Sequence, residues 1–191
     1  QVGRRRGVVC ALEPKVQSRG VVVVEFAVDE YKSCDLDCLF RQLGFRKTGK
    51  HRSKAVEGWS QGKVELVINC EADGFAHPHY ITPGPGVCAI ALDVDNASHT
   101  MARAEALRAR TFYQPVGPGE LEIPAIHGVG GSLLYFLDTA GKNWDIDFEA
   151  IGSAGAADRL RTVEHISQST PYDEMRSWLL VYTGVPELQR L

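Results

Sequence analysis

The residues of this sequence that could do chemistry are few, and one histidine leads them. His165 stands in the run LRTVEHIS, 160–167, whose apolar alternation reads as a strand. A near copy, VVVVEFAV at 21–28, carries Phe26 in the place of His165. An imidazole exchanged for a phenyl ring inside a repeated pattern raises the question of a metal ligand. The bland reading is a packed or hydrogen-bonded core histidine. Alternation turns His165 to the side of Val163 and Ser167 and away from Glu164, so the two do not share an ion.

The other candidates are weaker. His77 and His79 flank Pro78 with no carboxylate pair nearby, which reads as a surface loop rather than a chelate. His51, among Lys50, Arg52 and Lys54, either meets an anion or lies on a solvated strand edge. GVGGS, 128–132, lacks the Gly-Lys-Ser/Thr ending of a phosphate loop and leads into a strand, so a tight turn or close backbone approach is expected. Asp93, Asp95, Asp138, Asp145 and Asp147 alternate with apolar residues and read as outward faces. No Ser-His-Asp or Cys-His spacing stands out. The five cysteines include no C-x-x-C pair, which argues against a zinc knuckle and a disulfide framework; Cys70 and Cys88 sit in apolar runs as core residues.

The 191 residues, 44% hydrophobic and 24% charged, suit one generous domain or two small ones. A net charge of -3 gives no case for nucleic acid, and Arg4-Arg5-Arg6 reads as a solvated tail. No apolar run reaches the roughly 18 residues of a membrane span, and reduced thiols with no signal-peptide core lead us to expect a cytoplasmic protein.

The elements that must position these side chains recur. Residues 1–19 read as a linker or tail. VVVVEFAV is a buried strand, and Ser33 is placed to cap a helix with Leu36, Leu39, Phe40 and Leu43 on one face. FRKTGKH, AVEGWSQ and KVELVINC follow as strands, with turns expected at Gly49, Gly58 and Gly62. The order then repeats. VCAIALDVD is a strand, Asn96 or Ser98 caps a helix, and FYQPVGPGELEIP, GGSLLYFLD and NWDIDFEAI supply strands. After the linker GSAGAA a third unit opens with LRTVEHIS and a helix from Pro171, capped by Thr170, burying Met175, Trp178, Leu179 and Tyr182. That unit stops at its helix, and its open strand edge calls for more chain or a partner.

Repeated βαβββ units resemble the vicinal oxygen chelate superfamily. The segments FAVDE, FAHPHY, GVCAIALDVDNA, GPGELEIPAIHGVGGSLLYFLD and VEHISQS look like 4-hydroxyphenylpyruvate dioxygenase-like proteins, in particular those fused to a 3-dehydroshikimate dehydratase barrel. The resemblance implies an α+β fold, with a first pair of units (20–150) that is a metal-free scaffold and the start of a second, metal-binding pair (160–191). It implies Fe(II) or another divalent metal, held by two histidines and a carboxylate, with His165 as the first ligand. Phe26 and Ala91 then fill the ligand positions of the first two units, and Asn69 and Tyr135 stand on their closing strands. The expected substrate is a 2-oxo acid or aromatic acid, oxidatively decarboxylated with O2. One rival is a catalytically inert accessory domain of a dehydratase fusion, serving assembly or stability, with no metal required on this fragment. Another is a protein that sequesters a small molecule in its metal-free cup. A fused N-terminal barrel or a homo-oligomer would cover the open edges.

Overall fold

The computed structural model describes residue 14 and residues 16–138, 144–152, 159–186 and 188. Most of the expected linker 1–19 with Arg4–Arg6, Cys10, the greater part of GSAGAA, and the side chain of Asp145 lie outside them.

Two units follow one plan. The first comprises β1 (Ser18–Ala27), α1 (Glu30–Gln42), β2 (Arg46–His51), β3 (Val56–Gln61) and β4 (Val64–Asn69). After the short α2 (Ala76–Ile81) the second comprises β5 (Gly86–Val94), α3 (Ala97–Ala106), β6 (Thr111–Phe112), β7 (Ala125–His127) and β8 (Leu133–Leu137). Then come β9 (Phe148–Ala150) and α4 (Met175–Gly184). All nine strands form one sheet, in the order β6-β7-β8-β5-β1-β4-β3-β2-β9. In each unit the opening strand lies parallel to the closing one, β1 to β4 and β5 to β8, and the two units meet antiparallel at β1 and β5. The expected α+β fold of paired βαβββ units is the fold observed.

The helices α1 and α3 cover one face, while α2 packs at the end of the other through Ala76 against Ala27, Ala89 and Leu133. Phe40 of α1 packs with Phe45, Trp59, Val64 and Ile68, and Phe26 meets it edge-on at 5.6 Å between centroids. Met101 and Ala104 of α3 pack on Leu92, Val94, Ile126, Leu134 and Phe136. The caps follow from side chains that can accept an orphan backbone N–H. Asp29, not Ser33, accepts from Lys32 N at 2.7 Å, and Asn96 accepts from His99 N at 2.8 Å. The opposite face curves. Register shifts in the β1–β5 ladder bend it, and β9 pairs with β2 to form the far edge, so side chains from centre and edge line one cavity.

Several expected elements differ. Gly49 and Gly58 are not turns but face each other in the β2–β3 ladder, under the ring of Phe148. A Cβ at Gly49 would lie 3.0 Å from Phe148 Cβ, so the ring can settle only on bare backbone. GVGGS is the tight turn expected, with Gly130 at φ 64° and Gly131 at φ 79°. FYQPVGPGELEIP gives only the two-residue β6; Pro115, Pro118 and Pro124 cannot donate to a ladder, and the rest forms a strap. LRTVEHIS is no strand: among the described residues its one ladder contact is an isolated bridge from Val163 to Val21. The last helix begins at Met175 rather than Pro171, with no side-chain cap. Met175, at 37%, is exposed; Val181 and Tyr182 of α4 and the buried Val185 after it meet the second unit's core.

Candidate functional site

The concave face encloses about 250 Å3. Its walls are apolar, with Val23, Val56, Val67, Ala91 and Leu137 packed against Ile123 and Phe148. Strand alternation sends Val23 and Glu25 of β1 inward, and Val67 and Asn69 of β4 with them. The floor therefore carries a carboxyl group. Asn69 Nδ2 donates to Glu25 Oε1 at 2.6 Å, and burial pushes the Glu25 carboxyl above its ordinary range, opposed by that bond. Tyr135 of β8 lines the same floor; burial, and then the nearby Glu25, hold its hydroxyl well above the usual tyrosine range. Cys88 Sγ donates to the Glu25 carbonyl at 3.6 Å beneath them.

The strap from Tyr113 to Pro124 roofs the cavity. Lys54 Nζ donates to Glu120 Oε2 at 2.8 Å, Gly117 N donates to the same oxygen at 2.9 Å, and Ser53 Oγ donates to Oε1. These donors, Lys54 first, lower the Glu120 carboxyl to about 2. Leu121 N donates to Asp147 Oδ2 at 2.8 Å, tying the strap to the turn before β9. At the mouth, Ser53 N donates to His51 Nδ1 at 3.2 Å, leaving the ring proton of a neutral imidazole on Nε2. Burial, then Lys54, lowers the pKa of His51.

The candidates named from sequence scatter. His165 is exposed and lies off the sheet. Phe26 does not hold the inward position: it faces α1, and the inward residue of β1 is Glu25. Ala91, Asn69 and Tyr135 do reach the cup. His77 is exposed on α2 rather than on a loop, and His79 stacks near Phe75. Of the aspartates read as outward, Asp93 is 9% exposed and paired with Arg19 at 2.7 Å, and Asp147 is 8% exposed. Glu25, Glu120 and Asp147 were the polar residues missed. The signal for Glu25 was a single charge inside a β-branched run, since a buried carboxyl needs partners.

Iron would need three convergent ligands. Among the described residues no group of three His, Cys, Asp or Glu side chains is placed to hold a metal ion. The floor set of one carboxyl, one amide and one phenol does not fit such a centre, and the Glu122, Asp147 and His51 side chains that also line the cavity form no three-ligand group with it. No helix among the described residues is long and apolar enough to cross a membrane.

Comparison with known proteins matches this architecture. Residues 13–149 match the family described as hydroxyphenylpyruvate dioxygenase, HPPD, N-terminal. A 3-dehydroshikimate dehydratase of Pseudomonas putida is 38% identical over 182 residues, spanning 94% of this chain and 29% of that protein. A 4-hydroxyphenylpyruvate dioxygenase of Pseudomonas aeruginosa is 34% identical over 178 residues, 90% of this chain and 50% of that one. The solved structure of a xylose isomerase-like TIM barrel/4-hydroxyphenylpyruvate dioxygenase fusion protein superposes with a TM-score of 0.83 at 37% identity, covering 95% of this chain and 29% of its own. A 4-hydroxymandelate synthase mutant from Streptomyces coelicolor shares the fold, at TM-score 0.66 and 15% identity, over 92% of this chain and 54% of its own. The chain thus spans under a third of the dehydratase and half of the dioxygenase. With its paired βαβββ sheet and the match over 13–149, the chain belongs to the hydroxyphenylpyruvate dioxygenase N-terminal family, within the vicinal oxygen chelate proteins.

Proposed function

We propose that residues 20–150 are the metal-free pair of a 4-hydroxyphenylpyruvate dioxygenase-like half, and that 160–191 opens the metal-holding pair with His165 as its first ligand. The observation that carries this reading is the inward donor set. Asn69 donates to one oxygen of the Glu25 carboxyl beside Tyr135, and among the described residues no group of three His, Cys, Asp or Glu side chains is placed to hold a metal ion. The sheet instead offers a rigid wall, and Val181 and Tyr182 of α4 pack against the second unit rather than into the cup. Fe(II) and the oxidation of a 2-oxo acid by O2 belong to a site completed by two further ligands from outside the described residues. The exposure of His165 leaves it available to such a site.

A second reading, an accessory domain of a 3-dehydroshikimate dehydratase fusion, is favoured by the 38% identical dehydratase and the 37% identical barrel fusion. One experiment separates the two. Iron content and O2 uptake with 4-hydroxyphenylpyruvate are measured on the full-length protein and on its His165→Ala variant. The first reading expects iron-dependent uptake and iron occupancy that falls about tenfold in the variant. Full occupancy in the variant removes the ligand assignment, and no uptake with iron bound leaves the accessory role.

A further inference from the structure

The cup has the parts of a binding site that does not depend on His165. About 250 Å3 is below the roughly 300–1,000 Å3 of pockets for drug-sized ligands, and above the ~150 Å3 engineered cavity that accepts benzene. One substituted ring fits this range. The floor is polar: the Tyr135 hydroxyl lies on it, makes no hydrogen bond among the described residues, and sits close to the Glu25 carboxyl. Tyr135 is only partly buried and opens into the cavity with its donor and acceptor sites unused, so the floor suits a guest that both donates and accepts. Charge narrows the class. Lys54 is the one cation lining the cavity among the described residues, and Glu120 already holds it at 2.8 Å. Glu25, Glu122 and Asp147 line the same space. A carboxylate guest would meet carboxyl groups and no free positive charge.

We propose that the cup binds a small, uncharged, hydroxylated ring compound, with its hydroxyl against Glu25 and Tyr135 and its ring between Val23, Val67 and Phe148. Asn69 occupies one oxygen of the Glu25 carboxyl at 2.6 Å, and the other oxygen is left to meet the guest's hydroxyl. The strap held by Glu120 closes over the ring and excludes water.

Phenol, catechol, toluene and benzoate are titrated calorimetrically into the full chain, with and without a metal chelator. Phenol and catechol are expected to bind in the millimolar range or tighter, at least tenfold more tightly than toluene or benzoate, and the chelator changes nothing. Tyr135→Phe weakens phenol about tenfold and leaves toluene unchanged. Ala91→Leu, which fills the floor, abolishes binding of both; if that variant does not fold, Tyr135→Phe decides alone. Absence of phenol and catechol binding at about 5 mM overturns the proposal in favour of a water-filled cup. Binding of benzoate as tight as that of phenol, or phenol affinity unchanged in Tyr135→Phe, overturns it equally. None of these outcomes bears on the iron reading, which is tested at His165.

Discussion

Val24-Glu25-Phe26-Ala27 and Val163-Glu164-His165-Ile166 are nearly the same four residues, yet one is the centre of the sheet and the other is barely attached to it. Val24 lies between Leu66 of β4 and Ile90 of β5, with ladders on both sides. Among the described residues Val163 makes one backbone bridge, to Val21, and its side chain packs at the margin of the α1 cluster, while His165 is exposed. The difference lies in the neighbours. A strand's backbone groups must be satisfied by flanking strands, and β-propensity is a statement about fit to such a surface. The first copy has that surface, and the second waits for one.

The largest test of this contrast is a proline in each copy. Val24→Pro removes a ladder bond from a central strand and should cost at least about 3 kcal/mol, enough to unfold a marginal domain. Ile166→Pro should stay within about 0.5 kcal/mol, since residue 166 makes no backbone hydrogen bond among the described residues. Urea unfolding of the two variants reads the difference. A large cost for Ile166→Pro would show that the segment is paired in solution. The next test exchanges the residues that distinguish the copies. Phe26→His puts a polar ring against Phe40 and Trp59 and should cost about 2–3 kcal/mol. His165→Phe should be neutral within about 0.5 kcal/mol. Equal costs would mean that the two positions share an environment.

The unit order was legible because period and punctuation carry it. The Asn96 cap and the three strands after α1 need only local rules, whereas of the expected α1 stripe only Phe40 is buried and Leu39 and Leu43 are exposed. The inward face was not legible, because a bulge at Glu25/Phe26 shifts the register and local alternation cannot report which side meets the helix. The repeat therefore aligned Phe26 with His165 and passed over Glu25. The strap was misread for a related reason. Glu120, Leu121, Glu122 and Ile123 alternate as a strand would, but they are held by side chains distant in sequence, Lys54 and Asp147. Asp147 looked outward by alternation and is instead the buried acceptor that this segment needs. Of the candidate site, Ala91, Asn69 and Tyr135 were named and reach the cup, whereas its carboxyl was missed.

The strap offers the finest test, because it is extended chain that stays ordered without a ladder. Its anchor is Glu120, whose carboxyl is lowered from an ordinary 4.5 to about 2 by Lys54, Ser53 and Gly117 N. A depressed carboxyl stabilises the fold fully above its unfolded value and loses that contribution as pH falls through the folded one. The anchor is therefore intact at pH 5 and above, and it is lost between about pH 4.5 and pH 2. Glu120→Gln keeps the shape but not the charge, and should cost about 1 kcal/mol at pH 7, with Lys54 partly open to solvent. Hydrogen exchange across 113–124 should speed up in the variant while β1 stays protected, and the gap between variant and parent should close as pH falls toward 2. If exchange in the strap is unchanged at pH 7, side-chain anchoring does not substitute for a ladder. The open segment at 160–167 would then need a true strand partner to become ordered.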